Sequence, residues 1–204
     1  EVFQAGVFAF AAGQPDLGQR FFLHLSETAD PEDIARMARL TQEMRYPWHA
    51  LRLAKRAAAR GAVYPAAYFP LTGLEAEALE VPAELVMSIA RQESEFNHQA
   101  ASHVGALGLM QVMPATAQQM ADQVGLDYSR ARMTDDPFYN ARLGAAYLHG
   151  LRNRFGPSSA LVAAGYNAGP GRSRQWTEAF GDIRTETDPV DWVEMIPFDE
   201  TRNY

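Results

Sequence analysis

The chain contains no cysteine, which removes disulfides, zinc–thiolate centres and thiol nucleophiles from consideration but fixes no compartment. No apolar run reaches the length of about 18 residues that marks a membrane-spanning helix. Positive charge is in deficit: 18 Lys and Arg against 25 Asp and Glu leave a net charge of −7, whereas a nucleic-acid binder carries a basic footprint. Arg36, Arg39, Arg45, Arg52, Arg56 and Arg60 are numerous, yet they are spread along two helices with Glu32, Asp33 and Glu43 among them, so they read as a solvated face. The five histidines include no HExxH pair, and His98 and His103 have no thiolate near them. They read as surface or loop residues rather than metal ligands, and no motif calls for a metal or an organic cofactor. The opening EVFQAGVFAFAAG is apolar but lacks a basic leading segment, and it reads as a helix of a longer chain rather than a signal peptide.

What is present suits a globular protein of one or two domains: 204 residues, 47% hydrophobic and 21% charged. From Asp16 to Gly61 the pattern is helical and punctuated by proline. Leu17, Phe21, Phe22 and Leu25 trace one apolar face, and Ile34, Met37, Ala38 and Thr41 the next. Asp30 before Pro31 reads as a helix cap, and Pro47 starts a helix that stops at Gly61. The expectation is at least one antiparallel hairpin. Residues 62–81 break the periodicity with Pro65, Pro70 and Gly73, so a boundary is placed near Gly73, giving units 1–73 and 74–204. Tyr64, Tyr68 and Phe69 are too aromatic for a loose linker, which predicts that the two units pack together.

The most informative stretch runs from Pro82 to Pro114. Leu85, Val86, Ile89 and Ala90 recur at helical spacing, and continuing their face leads to Glu93. A carboxyl held among apolar groups favours its protonated form, so a raised pKa and a general-acid role are predicted for Glu93, against a frayed, solvated helix end. Glu95, four residues after Arg91, is expected to pair with it on the opposite face as an ordinary exposed couple. The following VGALGLMQVMP sets Gly105 and Gly108 among apolar residues, too apolar for a solvated loop, and reads as a groove wall with Gln111 as its polar group.

Downstream, Pro114–Gly125 reads as a short helix with Ala117, Met120 and Val124 inward. Asp136-Pro137 opens a long helix traced by Phe138, Ala141, Ala145, Leu148, Arg152 and Phe155. Tyr147 is expected to pack and His149 to meet solvent. The run from Ser158 to Gly169 is uniformly small or apolar, hence interior, and Ala163, Ala164 and Gly165 are expected to let the Glu93 helix approach. Tyr166 projects from its end, where a core tyrosine with a satisfied hydroxyl is the plain reading. Trp176, Phe180 and Trp192 are assigned to packing more than to sugar stacking. Asp122, Asp127, Asp135 and Asp136 fall at helix starts, turns or surface, leaving one carboxyl candidate at the site.

Arg91-Gln92-Glu93-Ser94, Gly108-Leu109-Met110-Gln111 with Met113-Pro114, and Tyr166-Asn167-Ala168-Gly169, in that order, together with WVEMIPFDETRNY, resemble the catalytic domain of the soluble lytic transglycosylases over roughly Leu74 to Tyr204. The resemblance implies an all-α, lysozyme-like (goose-lysozyme-type) catalytic domain preceded by the end of a superhelical segment. It implies a lyase, an exotransglycosylase, that cleaves peptidoglycan glycan strands to 1,6-anhydromuramic ends, although no residue pattern separates action at strand ends from action within strands. Glu93 would serve as acid and then base. Ser102 and Gln111 would contact the muramic sugar, Met113 border the cleft, and Tyr166 hydrogen-bond Glu93, with Asn167 beside it. Glu194 would be buried behind the site, and Arg202 and Tyr204 would begin a final helix. A periplasmic location follows from the substrate, and cell-wall proteins are candidate partners for the amino-terminal helices. Two rival readings remain: a goose-type hydrolase using water, and a non-catalytic peptidoglycan-binding module.

Overall fold

The computed structural model describes residues 1–204 as helices joined by short turns, with no strand beyond the isolated bridges Ala101–Leu107 and Leu107–Val112. Eight of the thirteen α-helices begin on proline. Proline suits the first helical position, because its φ is already helical and the amide proton it lacks would have had no intrahelical partner.

Helices α1 (Val2–Ala11), α2 (Pro15–Leu25), α3 (Pro31–Glu43) and α4 (Pro47–Ala58) form two hairpins, α1 on α2 and α3 on α4. The inward face of α3 is the expected Ile34, Met37, Ala38 and Thr41. That of α2 is the expected one only in part: Phe22 is buried and Phe21 and Leu25 are half-buried, but Gly18 and Gln19 are buried beside them and Leu17 is exposed. The reason is a reciprocal fit of rings over glycines. A Cβ on Gly6 would lie 2.6 Å from the Phe22 ring, and one on Gly18 would lie 2.5 Å from the Phe10 ring. The contact face is thus set by residues without side chains, which hydrophobic periodicity does not register. Asp30 makes no side-chain cap; the capping carboxylates and hydroxyl are Asp136, Ser158 and Asp188.

After α5 (Pro65–Tyr68) and a 3-10 turn at Leu74–Ala76, the chain builds α6 (Ala83–Ser94), α7 (Pro114–Val124), α8 (Arg132–Asp135), α9 (Pro137–Phe155), α10 (Ser159–Asn167), α11 (Pro170–Phe180), α12 (Pro189–Glu194) and α13 (Asp199–Arg202). There are two apolar cores. The smaller, centred on Phe22, Ile34, Leu53 and Ala54, belongs to α1–α5. The larger runs from Leu74 to Ile196 and also takes in Leu51 of α4.

Helix α9 is the axis of the larger core, with Leu143, Leu148 and Leu151 buried, while Phe138 and Arg152 face out. Gly165 of α10 faces Leu151 and Phe155 of α9 and Ser173 of α11, so the small residues of α10 admit those helices rather than α6. Trp176 and Trp192 are buried and pack edge to face, 6.5 Å between centroids, as core aromatics.

Candidate active site

Glu93 lies in the last turn of α6, half-buried, on the side continued from Val86, Ile89 and Ala90. Burial raises its pKa above the usual carboxylate value, a hydrogen bond from Tyr204 works against that rise, and the charge of Glu200 adds to it. A carboxyl removed from water retains its proton to higher pH, which suits a group that must donate one. The phenol of Tyr204 donates to Glu93 Oε1 at 2.6 Å. Burial and the facing Glu93 carboxylate in turn push the Tyr204 hydroxyl far above the ordinary phenol value, so it stays a donor.

The wall opposite is the segment from Ala101 to Val112, folded back on itself through the two bridges. Three side chains from three helices pin its turn. Ser94 Oγ of α6 donates to Leu109 O at 2.6 Å. Asn140 of α9, with no solvent exposure, accepts from Met110 N at 2.8 Å and donates to Leu107 O and Met133 O at 2.9 and 3.0 Å. Tyr166 of α10 donates to Met110 O at 2.9 Å. Gly108 sits tightly in this cradle at φ 76°, where an added Cβ would meet Met133 O at 2.0 Å and Asn140 Nδ2 at 2.3 Å. Only glycine fits there.

Ser102 Oγ accepts from Ala106 N and braces the same segment. Gln111, at a left-handed φ of 48°, donates its side-chain amide to Ala100 O and Gly108 O, which fixes the amide's orientation. Met113 is exposed at the start of α7. Asn167 donates to Glu200 Oε1 at 3.0 Å and accepts from the Thr201 hydroxyl, joining α10 to α13.

Four expectations are corrected. The phenol on Glu93 belongs to Tyr204, which follows α13; the hydroxyl of Tyr166 is committed to Met110 O, although its ring is near enough for Glu93 to raise its pKa further beyond the effect of burial. Glu194 is exposed at the end of α12 rather than buried, because Trp192 and Ile196 take the inward positions on either side of it. Glu200 is a second carboxylate close enough to bear on Glu93. Glu95 pairs not with Arg91 but with Lys55 of α4, since the face of α6 assigned to solvent is covered by the preceding helices. Asn140 belongs to none of the sequence motifs; its signal in the sequence is an amide inside an otherwise apolar helical face, where a buried polar group requires partners.

A helical domain built around one half-buried, proton-retaining glutamate is the arrangement of a lysozyme-like enzyme. The Transglycosylase SLT domain family model matches residues 71–188, and the chain belongs to that family. Soluble lytic murein transglycosylase of Escherichia coli K12 is 41% identical over 142 residues, 69% of this chain and 22% of that protein. Among solved structures, an inactive Glu-to-Gln mutant of lytic transglycosylase Slt from Pseudomonas aeruginosa matches with a TM-score of 0.80 at 33% identity, over all of this chain and 33% of that one. The 70-kDa soluble lytic transglycosylase of Escherichia coli matches at 0.81 and 30% identity, over 96% of this chain and 32% of that one. The chain thus spans between a fifth and a third of the length of these relatives. The all-α, lysozyme-like fold is shared with them, and no helix is long and apolar enough to cross a membrane.

Proposed function

We propose that this chain is the catalytic part of a peptidoglycan lytic transglycosylase, with residues 1–73 as a helical unit ahead of a catalytic unit 74–204. It cleaves the β-1,4 bond between N-acetylmuramic acid and N-acetylglucosamine without consuming water. The observation that carries this reading is the raised, half-buried carboxyl of Glu93 held by the Tyr204 phenol against a pinned backbone wall. Glu93 gives its proton to the leaving glycosidic oxygen as the C1–O bond breaks, and the muramic N-acetyl group stabilises the cation from within. The resulting carboxylate then takes the proton of the 6-hydroxyl of the same sugar as O6 bonds to C1. The product is a 1,6-anhydromuramic end, the Glu93 proton is restored, and the reaction falls in the lyase class. Inactivation of the Pseudomonas enzyme by a Glu-to-Gln change supports a glutamate as the indispensable group.

Ser102, Gln111 and Met113 line the sugar-binding side, Gln111 with its amide already oriented by two backbone carbonyls. Tyr166 and Asn167 act on the site through what they hold, the Met110 backbone and Glu200 respectively. The substrate places the enzyme outside the cytoplasm, in the periplasm, acting from strand ends, with cell-wall proteins as candidate partners of the amino-terminal helices.

A hydrolytic reading draws on Glu200, since two carboxylates flanking a bond is the usual glycosidase arrangement. Digestion of purified peptidoglycan followed by mass measurement of the released muropeptides separates the two. Products one water lighter than those of hydrolysis are expected. Free reducing ends would assign a muramidase instead, and no release at all would leave a binding module.

A further inference from the structure

The helical unit and the catalytic unit meet where α4 and α5 reach the end of α6, and α4 and α6 each present two residues one turn apart there. Helix α4 sends Ala50, Leu53, Ala54 and Ala57 into the smaller core, but Leu51 is wholly buried in the larger one. Lys55, four residues further on, shares the face of Leu51, and its ammonium pairs with Glu95 at the end of α6. Arg91, one turn before Glu95, is held as well. Its Nε donates to Tyr68 O at 3.1 Å, and its guanidinium lies 4.7 Å from the centroid of the Tyr68 ring and 4.9 Å from that of Phe69. Glu93 therefore sits between two anchored residues, on the side of the helix turned away from the anchors.

The backbone after Glu93 also needs holding. Glu95 and Phe96 have φ of 54° and 70°, two consecutive left-handed residues without a glycine. Such a pair is costly for side chains bearing a Cβ and persists only where its surroundings enforce it. Phe96 is enforced by burial, the turn itself is closed by Glu95 N on Arg91 O and Phe96 N on Ala90 O, and the Glu95 side chain that leaves this turn is held by Lys55 of the other unit.

We infer that the amino-terminal helical unit takes part in catalysis by bracing the last turn of α6, and that Lys55 and Glu95 are positioning residues for Glu93. This rests on the assignment of Glu93 as the proton donor. The pair is partly exposed, so its effect on global stability is small, while a small displacement of a reacting group is expensive in rate. The predicted signature is therefore a loss of turnover without a loss of fold.

The test compares Lys55→Glu, Glu95→Gln and the reversed pair Lys55→Glu/Glu95→Lys in the full chain, with kcat and KM on solubilised peptidoglycan and a melting curve for each. Lys55→Glu should lower kcat by about tenfold, with KM within about twofold and an essentially unchanged melting temperature. The reversed pair should recover most of the rate. Glu95→Gln, which introduces no repulsion, should lower kcat by about fivefold and covers the case in which Lys55→Glu does not fold. An unchanged kcat in the single variants overturns the brace, as does a loss that merely follows the folded fraction or is not recovered by reversal. Glu93→Gln run alongside separates the two readings. If that variant is active, the assignment of Glu93 fails; if it is inactive while Lys55→Glu turns over normally, only the brace fails.

Discussion

Tyr204 donates a hydrogen bond of 2.6 Å to Glu93 across 111 residues of sequence. The bond favours the charged carboxylate and so restrains the rise that burial imposes. In the Tyr204→Phe variant the pKa of Glu93 should rise further, and the alkaline limb of the kcat–pH profile should move to higher pH. The carboxylate formed after proton donation also loses its donor, so kcat at the optimum should fall by about tenfold or more. A profile unchanged in position would show that the bond does not act on the proton inventory of the site.

Replacing Glu93 by Gln should lower activity by a factor of about 10² to 10⁴ and at the same time stabilise the chain at neutral pH. Its folded pKa is raised, so protonated Glu93 contributes its full stability below the unfolded value and loses that contribution as pH rises through the folded value. The amide cannot ionise. Melting temperatures of the two proteins should agree most closely in acid and separate above the folded pKa, with the variant higher.

Gly108→Ala should destabilise the catalytic unit by about 2 kcal/mol or more, because the new Cβ meets a backbone oxygen that has no room to retreat and the residue must hold a positive φ. Asn140→Leu should cost about 3 kcal/mol, since it leaves Met110 N and Met133 O without a partner in the interior and takes one of the two donors from Leu107 O, which keeps Val112 N. Urea unfolding monitored by tryptophan fluorescence measures both. Retention of full stability in Asn140→Leu would mean that the wall is not held as described.

In the helical unit, His49 is buried against Phe10, Tyr46 and Trp48, with Asp16 3.3 Å away and the charge of Arg52 near enough to disfavour its protonation. Burial lowers its pKa despite Asp16. The stability it contributes is present above the unfolded value near 6.5 and is lost as pH falls through the lower folded value. His49→Phe should flatten the decline in stability between neutral and mildly acidic pH. An identical decline in the variant would assign it to other groups.

Local pattern was enough for much of this protein. Periodicity and proline placement predict α3, α4, α6, α7 and α9, because the apolar face of a helix and the start of its first turn are written within a dozen residues. The same periodicity places Glu93 on the inward side of α6. In α2 it finds Phe22 but misplaces Leu17, because Gly18, over which the Phe10 ring packs, carries no side chain for the pattern to register.

What only the tertiary structure decided is which distant groups meet. Two tyrosines, Tyr166 and Tyr204, were available to Glu93, and helical phase does not choose between them; the docking of α13 on α10 through Asn167 and Thr201 carries Tyr204 to the carboxyl and leaves Tyr166 to the backbone of Met110. The side of α6 that carries Arg91 and Glu95 reads as solvent-facing by composition, and becomes an interface because Leu51 of α4 enters the larger core and brings Lys55 with it. Sequence spacing determines the direction a side chain takes from its own helix, and the packing of one helix on another determines what it finds there.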